Sequence, residues 1–236
     1  MKLPKVLSPC PIIDAIIEVR FHSNINGNAV FGIVYNLLKD EFSNVQNLPI
    51  TQIPEPIRLN DPDLKYKPYH RIKNDDYVLQ IGPNVVSFSS YPTYVGWENF
   101  RKKAVYVLKR VEKAGVVDKV IRLGFRYINF FELDIFNKLK LKIDFEGMNL
   151  ISKHTVFQTI MSEDNINRKL LIDNAAKYNN KKGSIIDIDI STEEKDKFVD
   201  FFKNLNVNLK DVHDIEKQLF FNLLDEDYLK EFNPQY

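Results

Sequence analysis

Cysteine is all but missing: Cys10 is the only one in 236 residues, so no intramolecular disulfide can form and a secreted disulfide scaffold is excluded. A reducing compartment suits such a chain. Long apolar runs are missing too. No stretch approaches the roughly 20 apolar residues that a membrane helix needs. The longest apolar run near the N-terminus, Ile12 to Val19, is broken by Asp14 and Glu18 and lacks the core of a secretory signal. We therefore expect a cytoplasmic protein with no membrane association. Phosphate-binding glycine loops, the zinc-protease helix motif, the calcium loop and paired cysteines are all absent. The four histidines, His22, His70, His154 and His213, show no metal-pair spacing. Nothing in the pattern points to a cofactor.

What is present suffices for a core. With 44% hydrophobic and 12% aromatic residues, the chain fits one large domain or two small ones. Net charge is only +1, but it is unevenly spread. Arg101 to Arg126 holds nine basic residues against Glu112 and Asp118, whereas Gly183 to Tyr236 holds thirteen acids against six lysines. Such a split fits either an anion-binding face or two surfaces that neutralise each other inside the fold, and the second is favoured.

Periodicity supplies the elements. Ile17, Val19 and Phe21 alternate with Glu18 and Arg20, which predicts a strand over Ile12 to Phe21. Ala29 to Phe42 carries Val30, Ile33, Val34, Leu37, Leu38 and Phe42 at helical spacing. Pro49, Pro54, Pro56, Pro62 and Pro68 argue against a regular helix or central strand and predict a long ordered loop or an edge excursion. Tyr77 to Ile81 and Val85 to Phe88, joined by Gly82-Pro83-Asn84, read as a hairpin. Trp97, Phe100, Ala104, Val107, Leu108, Val111 and Ala114 line a helix that Gly115 ends. Val120 to Leu133 predicts a long strand. Thr155 to Met161, Arg168 to Lys177 and Ser184 to Ile190 predict a meander. Ser191 and Glu194 form a capping box before a helix with the stripe Phe198, Phe201, Phe202 and Leu205. A last helix has Val212, Ile215, Leu219 and Leu223 as its stripe.

This order predicts an α+β fold, mainly antiparallel sheets with helices packed on one side. A boundary at Phe145 to Ile151 would divide it into subdomains 1–147 and 148–236, the alternative being one continuous domain. No internal repeat is evident.

The run Pro11-Ile12-Ile13-Asp14-Ala15-Ile16-Ile17-Glu18-Val19-Arg20-Phe21, Trp97 opening a helix, and Leu123-Gly124-Phe125-Arg126-Tyr127-Ile128-Asn129 form one pattern. Together with the late helix beginning Val212-His213-Asp214, it resembles a sporadically distributed family of uncharacterised prokaryotic proteins. The resemblance implies an accessory gene product of patchy occurrence, of the kind found among mobile elements and host-defence genes. It implies no activity, cofactor or catalytic residue.

Several residues are candidates for chemistry. Arg101, Lys102, Lys109 and Lys113 share the outer face of their helix, and Arg122 and Arg126 project from one strand face across Gly124, where a phosphate or carboxylate could be clamped. Pairing with the acidic C-terminal region is the favoured alternative for these two arginines. Asp187 and Asp189 share a strand face and could bridge a divalent cation, although alternate aspartates more often make a solvated face. Cys10, between two prolines, is expected to be inert. His213 and Asp214 are consecutive on a helix and should not meet, and Trp97 reads as core. Nucleic acid is a weakly supported partner, because the chain is not basic overall. The expected function is a non-enzymatic binding or regulatory protein, working with a protein partner or as a homo-oligomer. The resemblance suggests a prokaryotic defence or toxin–antitoxin type system as its setting. The alternative is a metal-dependent enzyme acting on a phosphorylated small molecule or nucleic acid.

Overall fold

A computed structural model describes residues 3–143, 154–193, 198 and 200–236. Among these residues nine strands form: β1 (Ile12–His22), β2 (Asn44–Asn47), β3 (His70–Lys73), β4 (Tyr77–Gly82), β5 (Val85–Ser90), β6 (Lys119–Phe131), β7 (Val156–Glu163), β8 (Ile166–Tyr178) and β9 (Lys181–Thr192). Five helices accompany them: α1 (Gly27–Asn36), α2 (Glu55–Asn60), α3 (Trp97–Lys113), α4 (Leu205–Leu223) and α5 (Glu226–Lys230). The strands make one antiparallel sheet in the order β2-β3-β4-β5-β1-β6-β9-β8-β7. The α+β class and the meander β7-β8-β9 agree with the sequence pattern. The boundary expected at Phe145 to Ile151 lies outside the described residues.

The topology repeats itself although the sequence does not. β1 begins one half, whose meander β3-β4-β5 returns to pair with it before α3, and β6 begins the other, whose meander β7-β8-β9 returns to it before α4. The two halves meet where β1 pairs with β6.

Strand alternation gives the sheet two unlike faces. Register aligns Ile72, Leu79, Phe88, Ile17, Phe125 and Ile190 in one row, all fully buried. Full burial of each such side chain is worth about 1.5–3 kcal/mol. The helices cover this face: Phe31 of α1 stacks on His70 at 4.1 Å, Phe100 of α3 on Phe88 at 5.6 Å, and His213 of α4 meets Phe125 edge-on. A row on the opposite face reads Arg71, Gln80, Ser87, Glu18, Gly124, Ser191 and Asn167.

The structure corrects four local readings. The proline-rich segment contains the short helix α2, because Pro54 occupies its N-cap and Pro56 its first turn, where a missing N–H breaks no helical bond. Asn44–Asn47 and His70–Lys73 form strands too short and polar to show a period. Residues 200–204 are turns, and helix begins only at Leu205; Glu194 of the capping box lies outside the described residues. On α4 the buried stripe is Leu209, Val212, His213, Glu216 and Phe220, leaving Ile215, Leu219 and Leu223 half-buried on its flank.

Two glycines differ in what they make room for. A Cβ at Gly183 would stand 2.1 Å from the Phe131 carbonyl oxygen, part of the adjoining strand's backbone. At Gly124 it would stand 2.7 Å from Nη1 of Arg122, the end of a flexible side chain. Gly183→Ala should lower the unfolding free energy by about 2–3 kcal/mol and Gly124→Ala by less than about 1, as read from guanidinium denaturation.

Candidate functional site

The six basic candidates do not form one surface. Arg101 pairs with Glu98 at 2.7 Å and bonds Asn206, Lys109 pairs with Glu112 at 3.0 Å, and Lys102 and Lys113 are exposed on the same helix. That helix lies on the apolar side of the sheet, whereas Arg122 and Arg126 project from the opposite side. Arg122 reaches Glu18 at 2.7 Å and Asp189 at 3.6 Å, and the space above Gly124 is taken by its own guanidinium. Arg126 donates to both carboxylate oxygens of Asp187, at 2.7 and 2.5 Å, and this bond holds the guanidinium firmly charged. Asp187 and Asp189, the candidate metal ligands, are thus the partners of the candidate clamp. Among the described residues no group of three or more His, Cys, Asp or Glu is placed to hold a metal ion.

Cavities offer further candidates. One, of about 730 Å³, opens on the polar side beside Arg71, Lys73, Gln80 and Asp14, whose carboxyl burial pushes up to about 6. Another, of about 580 Å³, lies on the helical side and is walled mainly by apolar and aromatic groups. It combines that lining with a buried carboxyl, that of Glu216, one oxygen of which bonds nothing among the described residues, and we take it as the candidate site.

Four parts of the chain build it. Residues 4–12 form one wall and are strapped to the C-terminal residues: the Lys5 amide donates to the Gln235 carbonyl at 2.6 Å, and the Ser8 amide to that of Phe232 at 2.7 Å. Tyr94 to Trp97 form a second wall, where Gly96 adopts φ +85° at the N-cap of α3, a conformation that costs a glycine little. Tyr127 and Asn129 rise from β6 as the floor, with Asn129 anchored to the Ile186 carbonyl at 3.3 Å. His213, Glu216 and Phe220 come from α4. The Tyr94 and Tyr127 hydroxyls are 2.6 Å apart. The His213 ring lies flat on Trp97, with centroids 3.8 Å apart and planes 4° from parallel, so Trp97 is a half-buried wall rather than pure core.

Burial drives several titratable groups of the cavity toward their uncharged forms. It pushes His213 down to about 4 and Glu216 well above the usual carboxylate range. Tyr94, Tyr127 and the Cys10 thiol are raised for the same reason. Cys10 bonds the Ile12 backbone, and nothing here activates it as a nucleophile. His213 does meet its neighbour after all, with Nδ1 3.4 Å from an Asp214 oxygen, a long contact on the outer side of a neutral ring. Glu216 is the sharpest feature: it is 1% exposed, and its Oε1 makes no hydrogen bond among the described residues. The arrangement can hold an apolar body between aromatic walls and offer hydroxyl and carboxyl groups to its polar atoms.

Sequence spacing alone does not assemble this site, because its parts are far apart in the chain. One signal was available: Glu216 is in phase with Leu209, Val212 and Phe220 on the buried side of a helix. Comparison with protein-family models and with curated proteins finds no match for the chain.

The pH dependence has a definite sign. Glu216 ionises above about 4.5 in the unfolded chain and resists ionisation when folded, so its contribution to stability is complete below that value and declines as pH rises. His213 acts oppositely, contributing fully above 6.5 and losing that contribution as pH falls toward about 4. Glu216→Gln should therefore gain on the wild type as pH rises from about 5 to 8, by up to about 1.4 kcal/mol per unit. His213→Gln should flatten the acid limb. Urea unfolding across that pH range measures both.

Proposed function

We propose that the chain is a non-enzymatic binding protein that takes a small, mainly apolar molecule into the cavity between residues 4–12, the start of α3, β6 and α4. The observation that carries the reading is the buried carboxyl of Glu216, whose Oε1 makes no hydrogen bond among the described residues, in an aromatic-walled cavity of ligand size. Ligand pockets commonly measure about 300–1,000 Å³ and join an apolar lining to a few polar groups. Burial demands a hydrogen bond for Glu216, and a ligand in a pocket of this kind would supply it. The rival reading, a metal-dependent enzyme, drew on Asp187 and Asp189; both carboxylates face arginines that compete with any cation for the same oxygens. In our reading the bound molecule regulates the chain's association with a protein partner or a second copy. A place in a prokaryotic defence or toxin–antitoxin type system rests on the family resemblance alone.

The neutral dye N-phenyl-1-naphthylamine, which brightens in apolar surroundings, should bind the purified chain saturably with a Kd in the micromolar range. Cys10→Trp, which fills the mouth at an exposed position, should weaken binding by about tenfold or more. Bound dye should also slow alkylation of Cys10, the chain's sole thiol. Absence of saturable binding would count against the cavity as a ligand site.

A further inference from the structure

The cavity's polar groups narrow the chemistry of its occupant, and the inference below rests on the binding function just proposed. Glu216 needs a hydrogen-bond partner that the described residues do not supply. That partner could be a cation, which would take the carboxylate form, or a neutral acceptor, which would take the acid. The surroundings decide between them. Lys217, on the same helix, and Lys5, from the N-terminal wall, both line the cavity, and neither makes a salt bridge among the described residues. A ligand cation would meet both of them. The remaining titratable groups around the cavity are Cys10 on the N-terminal wall, Tyr94 before α3, Glu98 on α3, Tyr127 on β6 and His213 on α4. Of these, only Glu98 is a carboxyl, and it is exposed at the rim and already paired with Arg101.

We propose that the ligand is an uncharged molecule with an apolar, ring-containing body and a carbonyl-type oxygen, and that this oxygen accepts a hydrogen bond from the Glu216 carboxyl. Burial favours the acid form and outweighs the attraction of the Lys217 ammonium, and the acid is a donor. The body of the ligand lies between Trp97, Tyr94 and Phe220, where ring contacts add to area burial. A nearby hydroxyl, that of Tyr127 or Tyr94, is free to serve a second polar atom, since each of the pair can donate only one proton and one of them already does so to the other.

The test uses the wild type, two variants and three probes at neutral pH. The probes are 6-propionyl-2-dimethylaminonaphthalene, whose emission reports hydrogen bonding at its carbonyl; N-phenyl-1-naphthylamine, which has no carbonyl; and 1-naphthylmethylammonium, a cation. Wild type, Glu216→Gln and Glu216→Leu are compared, with near-ultraviolet circular dichroism as a check of packing. Glutamine keeps a donor and cannot ionise, and leucine keeps neither donor nor acid while suiting the apolar stripe. The carbonyl probe should bind Glu216→Gln within about threefold of wild type and Glu216→Leu about tenfold more weakly, as loss of one buried hydrogen bond requires. Its emission should shift blue in Glu216→Leu. The carbonyl-free dye should bind all three alike. Affinity of the wild type for the carbonyl probe should fall as pH rises through ionisation of Glu216, and that of Glu216→Gln should stay level. Equal binding of the carbonyl probe to Glu216→Leu and wild type overturns the inference and leaves the cavity's role intact. Tighter binding of the cation, lost in Glu216→Gln, overturns it in favour of a counter-ion role. Failure of the carbonyl-free dye to bind wild type removes the binding function itself, and the inference with it.

Discussion

Ile72, Leu79, Phe88, Ile17, Phe125 and Ile190 lie side by side across six strands, and the removal of this row from water is the interaction on which the rest depends. It holds α1, α3 and α4 against one face of the sheet. It also makes that face a medium in which charge is costly. Glu216 and His213 sit at the margin of the same dry layer, and the shift of each toward its uncharged form follows first from where that layer has been extended. The cavity is the place where helices, N-terminal segment and sheet fail to close completely over it.

The opposite face follows different rules. There Glu18, Arg20, Arg122, Arg126, Asp187 and Asp189 stand in water-accessible rows, and their charges are matched locally, with Arg126 and Asp187 in a two-point contact. The side chains of Arg122 and Asp187 are only 13% exposed, so the cost of desolvation offsets much of the attraction in these pairs. Their effect is to leave little free charge at the centre of a broad surface. The basic middle and acidic end of the sequence therefore answer each other in part across β6 and β9, while the lysines of α3 remain a separate, solvated set.

Much of the fold was legible because period and burial agree in the long elements. β1, α3, β6 and the meander β7-β8-β9 each present a regular apolar series. The four-residue strands β2 and β3 were not legible, since four residues carry no measurable alternation and their pairing is dictated by β4. α2 was hidden by prolines whose positions in its first turn only the backbone reveals. The candidate site was nearly invisible. Asp214, Glu216 and Lys217 entered the sequence reading only as charges of the C-terminal region, and only the phase of α4, set by packing on β6 and β9, turns Glu216 inward while leaving Asp214 exposed. Arg122 and Arg126 drew attention for the right geometric reason, a shared strand face, but the groups they clamp belong to the chain itself.

The junction of β1 with β6 bears on how the molecule assembles. Its partners run from His22 with Lys119 out to Ile12 with Asn129, so each contact closes a loop spanning nearly half the chain. Contacts of such long range form late, because the entropy of closing the loop is lost before any neighbouring contact rewards it. On each side the meander can pair with its own strand, β5 with β1 and β9 with β6, through shorter loops. Until the two halves join, β1 and β6 each keep one open edge while already carrying the most apolar rows of the sheet. During synthesis the first half emerges in that state, and its safety from aggregation depends on how soon β6 follows it.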